Sequence, residues 1–387
     1  MNILFLLRSL NVGGLEVVTA TLANKFAQEG HSVHVFAFEK RRGLLVDRLV
    51  KDVRLTIAGR YRVNNDNVLL LRHILIKNDI DVVVNQWGLP LIPIKTLSKA
   101  RKGLNIKVIS VYHNDPFRNG RIGDIDVEIQ RTNNCVLRSF LTVKRFVFRC
   151  ITGFSMRYNY HKSDYYVVLS KGYISHFQKF TKLYKTSKLK VLPNPITVDS
   201  SGFRYNADNK ECAMIYMGRL DSIQKRIYRV IDVWQQLEQC SHEWHFTLVG
   251  DGKERNSLIE LVHKKELRHV SFEGYRYPRP YYEKASILLL TSDFEGFPLV
   301  LAECMSFGVV PVVYGSFSAV HDIIDDGKNG FIIPPTSKGF DAYSMAEKIQ
   351  ILMNDKAKLD RMAISAIEKS KKFSMGHIYQ QWMEIMK

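Results

Sequence analysis

The stretch 285–315, ASILLLTSDFEGFPLVLAECMSFGVVPVVYG, leaves this chain few ways to fold. The apolar run 287–290 is short, continuous and bounded by turn residues, as a strand buried on both faces would be. A polar turn from Thr291 to Phe297 leads to Pro298. Proline fits a first helical position because its missing N–H would find no intrahelical partner there. Leu299, Val300, Ala302, Glu303, Met305 and Ser306 continue the helix, and Gly308 is placed to stop it. Residues 309–314 then read as the next strand. Strand, loop, helix and strand make the unit of a parallel α/β sheet. Ligands bind such sheets at the carboxyl ends of the strands, where the free N–H groups of helix N-termini favour anions and hydroxyls.

Two carboxylates punctuate this unit, Glu295 in the turn and Glu303 on the helix. Glu303 lies five residues beyond Pro298, which is roughly 7–8 Å along a helix axis. The pair can therefore hold two parts of one elongated ligand. Each acid taken alone reads equally well as a solvated surface group.

The length of 387 residues suits two domains of similar size. A hydrophobic content of 46% against 24% charged is a globular balance and excludes a disordered chain. The net charge of +18 points to anionic partners: nucleotide phosphates, a membrane surface or nucleic acid. Cys135, Cys150, Cys212, Cys240 and Cys304 show no C-x-x-C pair, which predicts a reducing compartment and no zinc site. The apolar start 3–7 is interrupted by Arg8, so it reads as a first strand rather than a membrane span or a cleaved signal. The expected location is the cytoplasm or its membrane face.

In the N-terminal half, a strand at 2–7, a turn at Gly13-Gly14, a helix from about 15 to 29 and a strand at 33–38 form a first βαβ unit. Glycines in that turn let backbone come close to a ligand. Further strands are expected at 53–57, 81–85, 107–112 and 165–169. Two end in polar clusters, Asn85-Gln86-Trp87 and His113-Asn114-Asp115. Trp87 reads either as a stacking platform for an acceptor or as loop packing, and His113 either as a ligand-facing or as a structural histidine. The segment 131–190 holds thirteen Lys or Arg against one acid, Asp164. Within it Leu137, Phe140, Leu141, Val147, Phe148, Ile151 and Phe154 recur at helical spacing. Two readings are open there: a core-facing helix with a solvated basic side, or docking on anionic headgroups.

A proline-rich turn at 190–195 and a polar stretch at 200–210 mark a domain boundary. A new strand at 212–217 leads into Gly218-Arg219-Leu220, with Lys225 six residues after Arg219. Two cations in one strand-to-helix loop suit a diphosphate, though surface charge is the plainer account in so basic a chain. Strands at 246–249 and 270–272 run into Gly250-Asp251-Gly252 and Glu273-Gly274-Tyr275. The motif GKNGFIIP at 327–334 reads as a last short strand. Helices follow from about 343, and Ser374 caps an amphipathic final one.

The string E-G-F-P-L-V-x-x-E followed by G-x-x-P-V-V resembles the E-x7-E signature of retaining glycosyltransferases of family 4, of the type that builds bacterial surface polysaccharide and lipopolysaccharide. The opening N-V-G-G-L-E, the connection K-V-L-P-N-P-I and the Arg219…Lys225 pair are similar to the same family in the same order. One departure is Arg226, which stands where the family carries glycine. The resemblance implies the GT-B fold, two Rossmann-like α/β domains with parallel sheets facing a central cleft. An acceptor domain would span 1–195, with the final helix 374–387 crossing back to it, and a donor domain 196–373.

By the same resemblance Arg219 and Lys225 would grip the leaving diphosphate, and Glu303 would hold the ribose hydroxyls. Glu295, with Gly296, Phe297 and Leu299, would hold the donor sugar, and Gly274 and Tyr275 the base. Gly13 and Gly14 would approach the diphosphate, while His113 would meet the sugar; Trp87 and Asn114 are acceptor candidates. The implied co-substrate is a nucleotide sugar, UDP ahead of GDP, with a glycan or lipid-linked acceptor and no metal or other cofactor. An anionic membrane surface is a further expected partner. The alternatives are a GT-B epimerase or phosphorylase, or a basic nucleic-acid- or membrane-binding protein without catalysis. The last would leave the paired glutamates unexplained.

Overall fold

The structure, a computed structural model, describes residues 1–11, 13–39, 47–117, 120–239 and 243–387; Val12 of the glycine turn and Cys240 lie outside them. The chain divides into two units, one of Met1–Thr197 with Met375–Lys387 and one of Val198–Ser374. The boundary falls just after the proline-rich turn 190–195.

In the first unit the order is β1 (Asn2–Leu7), α1 (Gly14–Gln28), β2 (Ser32–Ala37), β3 (Val53–Ile57), α2 (Asn65–Lys77), β4 (Val82–Asn85) and α3 (Leu91–Ala100). It continues with β5 (Lys107–Tyr112), α4 (Gly120–Arg131), α5 (Cys135–Lys162), β6 (Tyr165–Val168), α6 (Gly172–Thr181) and β7 (Leu189–Val191). The strands form one sheet in the order 3-2-1-4-5-6-7, and every neighbouring pair is parallel. Parallel strands covered by helices on both faces need continuous apolar sequence. Ile3 to Leu7 meets that need and is wholly buried.

The second unit runs β8 (Ala213–Met217), α7 (Tyr228–Glu238), β9 (His245–Val249), α8 (Arg255–Lys264), β10 (Val270–Gly274), α9 (Arg279–Lys284) and β11 (Ile287–Leu290). It closes with α10 (Leu299–Ser306), β12 (Val310–Tyr314), α11 (Val320–Ile323), β13 (Phe331–Ile333), α12 (Ala342–Asn354) and α13 (Lys356–Ser370). Its parallel sheet has the order 10-9-8-11-12-13, the doubly wound pattern again. The last helix, α14 (Met375–Met386), belongs to the first unit. There Tyr379 hydrogen bonds His31 at 3.0 Å and packs on Phe26 at 5.1 Å between ring centroids.

Three expectations are corrected. Pro298 has ψ 104°, outside helical values, so it is the residue before α10 rather than its first turn. The strand expected at 327–334 is confined to Phe331–Ile333, because Gly327 (φ +74°) turns the chain and donates its N–H to Gly330 O at 2.9 Å. The core-facing reading of 131–162 fails for the N-terminal part of α5. Of the expected stripe Leu141 is buried, whereas Leu137, Phe140, Val147, Ile151 and Phe154 are exposed.

Two glycines join the connections after β8 and β9 backbone to backbone. A Cβ at Gly250, where φ is +146°, would overlap the carbonyl oxygen of Gly218, and one at Gly252 would overlap that of Leu220. Gly103 also has a positive φ, +78°, but opens onto empty space. Gly103→Ala should therefore cost only the left-handed backbone penalty, about 1–2 kcal/mol. Gly250→Ala should cost clearly more, on the order of 3 kcal/mol or above, in urea unfolding. Equal losses would show that the two loops are not packed this closely.

Candidate active site

In a doubly wound sheet the strand order reverses at one place, and the loops leaving the two strands there part to make a crevice. In the second unit those strands are β8 and β11. Lys225, from the loop after β8, places Nζ 2.6 Å from Oε1 of Glu295, from the loop after β11. Their side chains are only 14% and 8% exposed, so the pair sits largely out of water, where Coulombic attraction is stronger. Gln224 Nε2 donates to the other Glu295 oxygen at 3.2 Å and to Phe294 O at 3.1 Å. Both glutamate oxygens are thus already engaged.

Asp221 organises the loop that carries these groups. Its Oδ1 accepts the backbone N–H groups of Ile223, Gln224 and Lys225 at 2.8–3.2 Å, and its Oδ2 accepts Arg219 Nε at 2.7 Å. Burial works to raise the Asp221 pKa, but those N–H donors and the Arg219 charge hold it below the ordinary value. Arg219 also donates to Gln224 Oε1 at 3.2 Å, yet its side chain remains 64% exposed. The result is one oriented, solvent-facing guanidinium beside one buried ammonium.

Arg226 adopts φ +48°, in the left-handed region that glycine enters without penalty. Its side chain offers compensation: Nε meets Asp293 Oδ2 at 2.6 Å, while Arg229 Nη1 meets Asp293 Oδ1 at 2.6 Å. The loops after β8 and β11 are therefore tied by two separate ion-pair clusters.

Glu303 is buried on α10, and Tyr282 donates its hydroxyl to Glu303 Oε2 at 3.3 Å. Burial, helped by the glutamate charge, pushes that phenol well above its ordinary pKa and keeps it a donor. Gly296 and Phe297 are buried, Phe297 packing on Phe373 at 5.4 Å, and Leu299 begins α10. Gly274 (φ +69°) accepts the Gly250 N–H at 2.8 Å, and the ring of Tyr275 beyond it is exposed.

The first unit carries its own set at the same end of its sheet. Gly13 precedes α1 in an extended conformation, and a Cβ there would overlap the Glu16 carboxylate, whose pKa burial raises. Gly14 is the first residue of α1. His113 Nε2 lies 2.7 Å from Gln86 Oε1. With that oxygen as acceptor, Nε2 carries the proton and Nδ1 is a bare acceptor. Burial lowers the ring pKa to about 3, so His113 is neutral at pH 7. Trp87 stands edge-on to Tyr61 at 6.2 Å, and the Arg8 guanidinium lies 4.7 Å from the Tyr61 ring and 5.9 Å from the Trp87 ring. Asn114 uses its side-chain oxygen on the Asp115 N–H at 3.1 Å, and Asp115 in turn accepts from His176 Nδ1 at 3.1 Å.

Buried polar atoms normally find partners. Asn11 Oδ1, Gln86 Nε2, Trp87 Nε1, His113 Nδ1 and Ser170 Oγ have none among the described residues. All five follow the carboxyl ends of β1, β4, β5 or β6.

Residues 12–200 match a family model described as Glycosyltransferase Family 4, and residues 199–369 match one described as Glycosyl transferases group 1. Together the two matches run almost end to end. This chain belongs to the GT-B glycosyltransferases. A relative from Campylobacter jejuni is 24% identical over all of this chain and 98% of its own length. It is named as an alpha-1,4-N-acetyl-D-galactosaminyltransferase of a GalNAc-containing, PP-undecaprenol-linked glycan. Among solved structures, the lipopolysaccharide outer core galactosyltransferase WaaB in its apo form aligns with TM-score 0.67 at 17% identity, covering 99% of this chain and 98% of the other. The pneumococcal O-GlcNAc transferase GtfA, solved with UDP and GlcNAc, aligns with TM-score 0.75 at 14% identity over 100% and 98%.

In this glycosyltransferase the structure joins Arg219, Lys225 and Glu295 through Gln224, and His113 to the Trp87 loop through Gln86. Asp221 and Gln224 escaped sequence reasoning, although their place between the two cations was a usable signal. Tyr282 gave no signal, since only the fold brings α9 to Glu303.

Two outcomes follow. Arg226→Ala loses the Asp293 ion pair and keeps the left-handed strain, whereas Arg226→Gly loses the pair and relieves the strain. The alanine variant should be less stable than the glycine variant by about 1 kcal/mol in urea unfolding, and the reverse order would refute this account of position 226. His113 is neutral when folded and takes up a proton when unfolded below pH ~6.5. Its contribution is complete above that pH and is lost as pH falls toward 3. Between pH 7 and 5 the wild type should lose on the order of 1–2 kcal/mol more stability than His113→Gln; parallel losses would mean that the ring is already charged in the fold.

Proposed function

We propose that this chain is a retaining, metal-independent hexosyltransferase that moves a sugar from a nucleotide-sugar donor to a hydroxyl of a glycan or lipid-linked acceptor in bacterial surface-glycan synthesis. UDP-sugars are favoured over GDP-sugars as donors. The observation that carries the reading is the Lys225–Glu295 pair beside the oriented Arg219, at the strand-order reversal of the second unit. The pneumococcal neighbour solved with UDP and the alpha linkage named for the Campylobacter relative support the donor and the stereochemistry.

In this reading the bond from the anomeric carbon to the diphosphate oxygen breaks, and the electron pair leaves with that oxygen. Arg219 and Lys225 meet the negative charge as it grows, an effect worth more in a partly dry site than in water. Two fixed cations make a divalent ion unnecessary for this step. The acceptor hydroxyl attacks from the face that the diphosphate leaves, and its proton passes to the departing oxygen. Glu295 is not assigned as a covalent nucleophile, since Lys225 and Gln224 already engage both its oxygens. It orients the donor sugar together with the backbone of 296–299. Glu303, steadied by Tyr282, accepts the ribose hydroxyls, and Gly274 and Tyr275 flank the base. Gly13 and Gly14 approach the diphosphate, and His113 accepts a sugar hydroxyl at Nδ1. Trp87 and Asn114 meet the acceptor.

The two glutamates separate in experiment. Glu303→Ala should weaken binding of free UDP by about 10–150-fold, the equivalent of ~1.5–3 kcal/mol for a charged hydrogen bond. Glu295→Ala should lower turnover with the intact donor while UDP affinity stays near normal. Calorimetry with UDP and steady-state rates would decide; UDP binding lost in Glu295→Ala and kept in Glu303→Ala would reverse the assignment. Arg219→Ala and Lys225→Ala, if folded, should each slow turnover on the order of 10²–10³-fold. Near-normal rates in both would remove the diphosphate grip from the mechanism.

A further inference from the structure

Donor binding and sugar transfer leave one large feature of the first unit unused, the outer face of α5. Val136, Leu137, Phe140, Val143, Phe146, Val147, Ile151 and Phe154 are each 46% to 80% exposed. At 100° per residue, Val136, Phe140, Val143, Val147, Ile151 and Phe154 fall in one stripe roughly 80° wide. Contiguous apolar surface on this scale marks an interaction site.

The other side of the helix is already occupied. Arg145 pairs with Asp126 of α4 at 2.5 Å, and the Arg149 guanidinium lies over Phe117 and Phe180 at 5.4 and 5.5 Å. Lys144, which also lies 3.8 Å from Glu128 of α4, and Arg157 flank the stripe. At its far end Gly153 packs on Phe180 of α6, and exposed Lys179, Lys182 and Lys185 follow there. Among the described residues no helix is long and apolar enough to cross a membrane.

The rest of α5 is set firmly into the sheet. Ser155 and Asn159 both donate to the carbonyl of Leu89, and Asn85 Nδ2 donates to Asn159 Oδ1 at 3.4 Å. Tyr166 donates to Gly88 O at 2.9 Å. The loop that carries Gln86 and Trp87 is therefore held one residue past the last stripe position, Phe154.

We propose that residues 136–154 of α5 lie in the interface of an anionic bilayer, with the apolar stripe inserted and the flanking cations on headgroup phosphates. Charge selects this occupant. A second copy would bring together two 131–190 segments, each with thirteen cations and one acid, whereas anionic lipid offers the complementary sign at unlimited area. Resting on the acceptor reading above, docking gives the transferase its substrate class. The acceptor is a glycan on a lipid that stays in the bilayer, presented to the 86–89 loop.

The test uses the full chain and vesicles of phosphatidylcholine with or without 30% phosphatidylglycerol. Wild type should float with the anionic vesicles, bind neutral ones at least 10-fold more weakly, and lose affinity as salt rises. F140D/V147D changes two solvent-facing positions that are none of the proposed donor-binding or acceptor residues. It should bind anionic vesicles at least 10-fold more weakly, with UDP affinity and unfolding midpoint unchanged. Its turnover should fall on an acceptor anchored in vesicles and not on a water-soluble one. Unchanged vesicle binding in this variant would overturn the proposal, as would a wild-type dimer in light scattering that the variant dissociates. The vesicle arm decides docking whatever UDP does. A wild type that ignores UDP would instead overturn the donor reading.

Discussion

The contact between Lys225 and Glu295 depends on everything around it being in place. Each residue leaves a different strand, and the two strands are neighbours only because the sheet reverses its order between them. Left alone, either charge would be costly in so dry a position. Asp221 shapes the loop that delivers the lysine, and Gln224 closes the remaining glutamate oxygen. The Arg226, Arg229 and Asp293 cluster ties the same loops a second time. A site locked by two ion-pair clusters is held in one arrangement before any ligand arrives. Preorganised charge of this kind stabilises a developing anion most effectively.

The first unit repeats the architecture with a different chemistry. Beside the Arg8–Glu39 and Asp115–His176 pairs, its strand ends carry several neutral polar atoms that lack partners among the described residues, from Asn11 to Ser170. Hydrogen-bonding groups left unsatisfied in a fold discriminate strongly for ligands that satisfy them. A neutral His113 with a bare acceptor nitrogen fits sugar hydroxyls better than phosphate.

Much of this was legible in the sequence because buried parallel strands must be apolar along their whole length. Runs such as 3–7 and 287–290 have no other home in a globular chain, and the polar residues that follow them fall at strand ends. Arg219, Lys225 and Glu295 were singled out in this way and Glu303 on the helix that follows, while the roles expected of them came from the resemblance. Side-chain partners were not legible, since Gln224 and Tyr282 gain their roles only when distant loops meet. Helical periodicity could not say what α5 faces, because a stripe turned to a core and one turned to lipid have the same period. The left-handed backbone at Arg226 was foreshadowed only by the resemblance, which has glycine there.

The central claim is that the second unit holds a nucleoside diphosphate and releases it when the sugar departs. Nucleotide release from a panel of UDP- and GDP-sugars, measured with and without a lipid-linked glycan acceptor, tests it most directly. The account predicts release of UDP from at least one UDP-sugar, accelerated by acceptor and undiminished by a metal chelator. Failure to bind or release either nucleotide from any donor, with the protein folded, would contradict it.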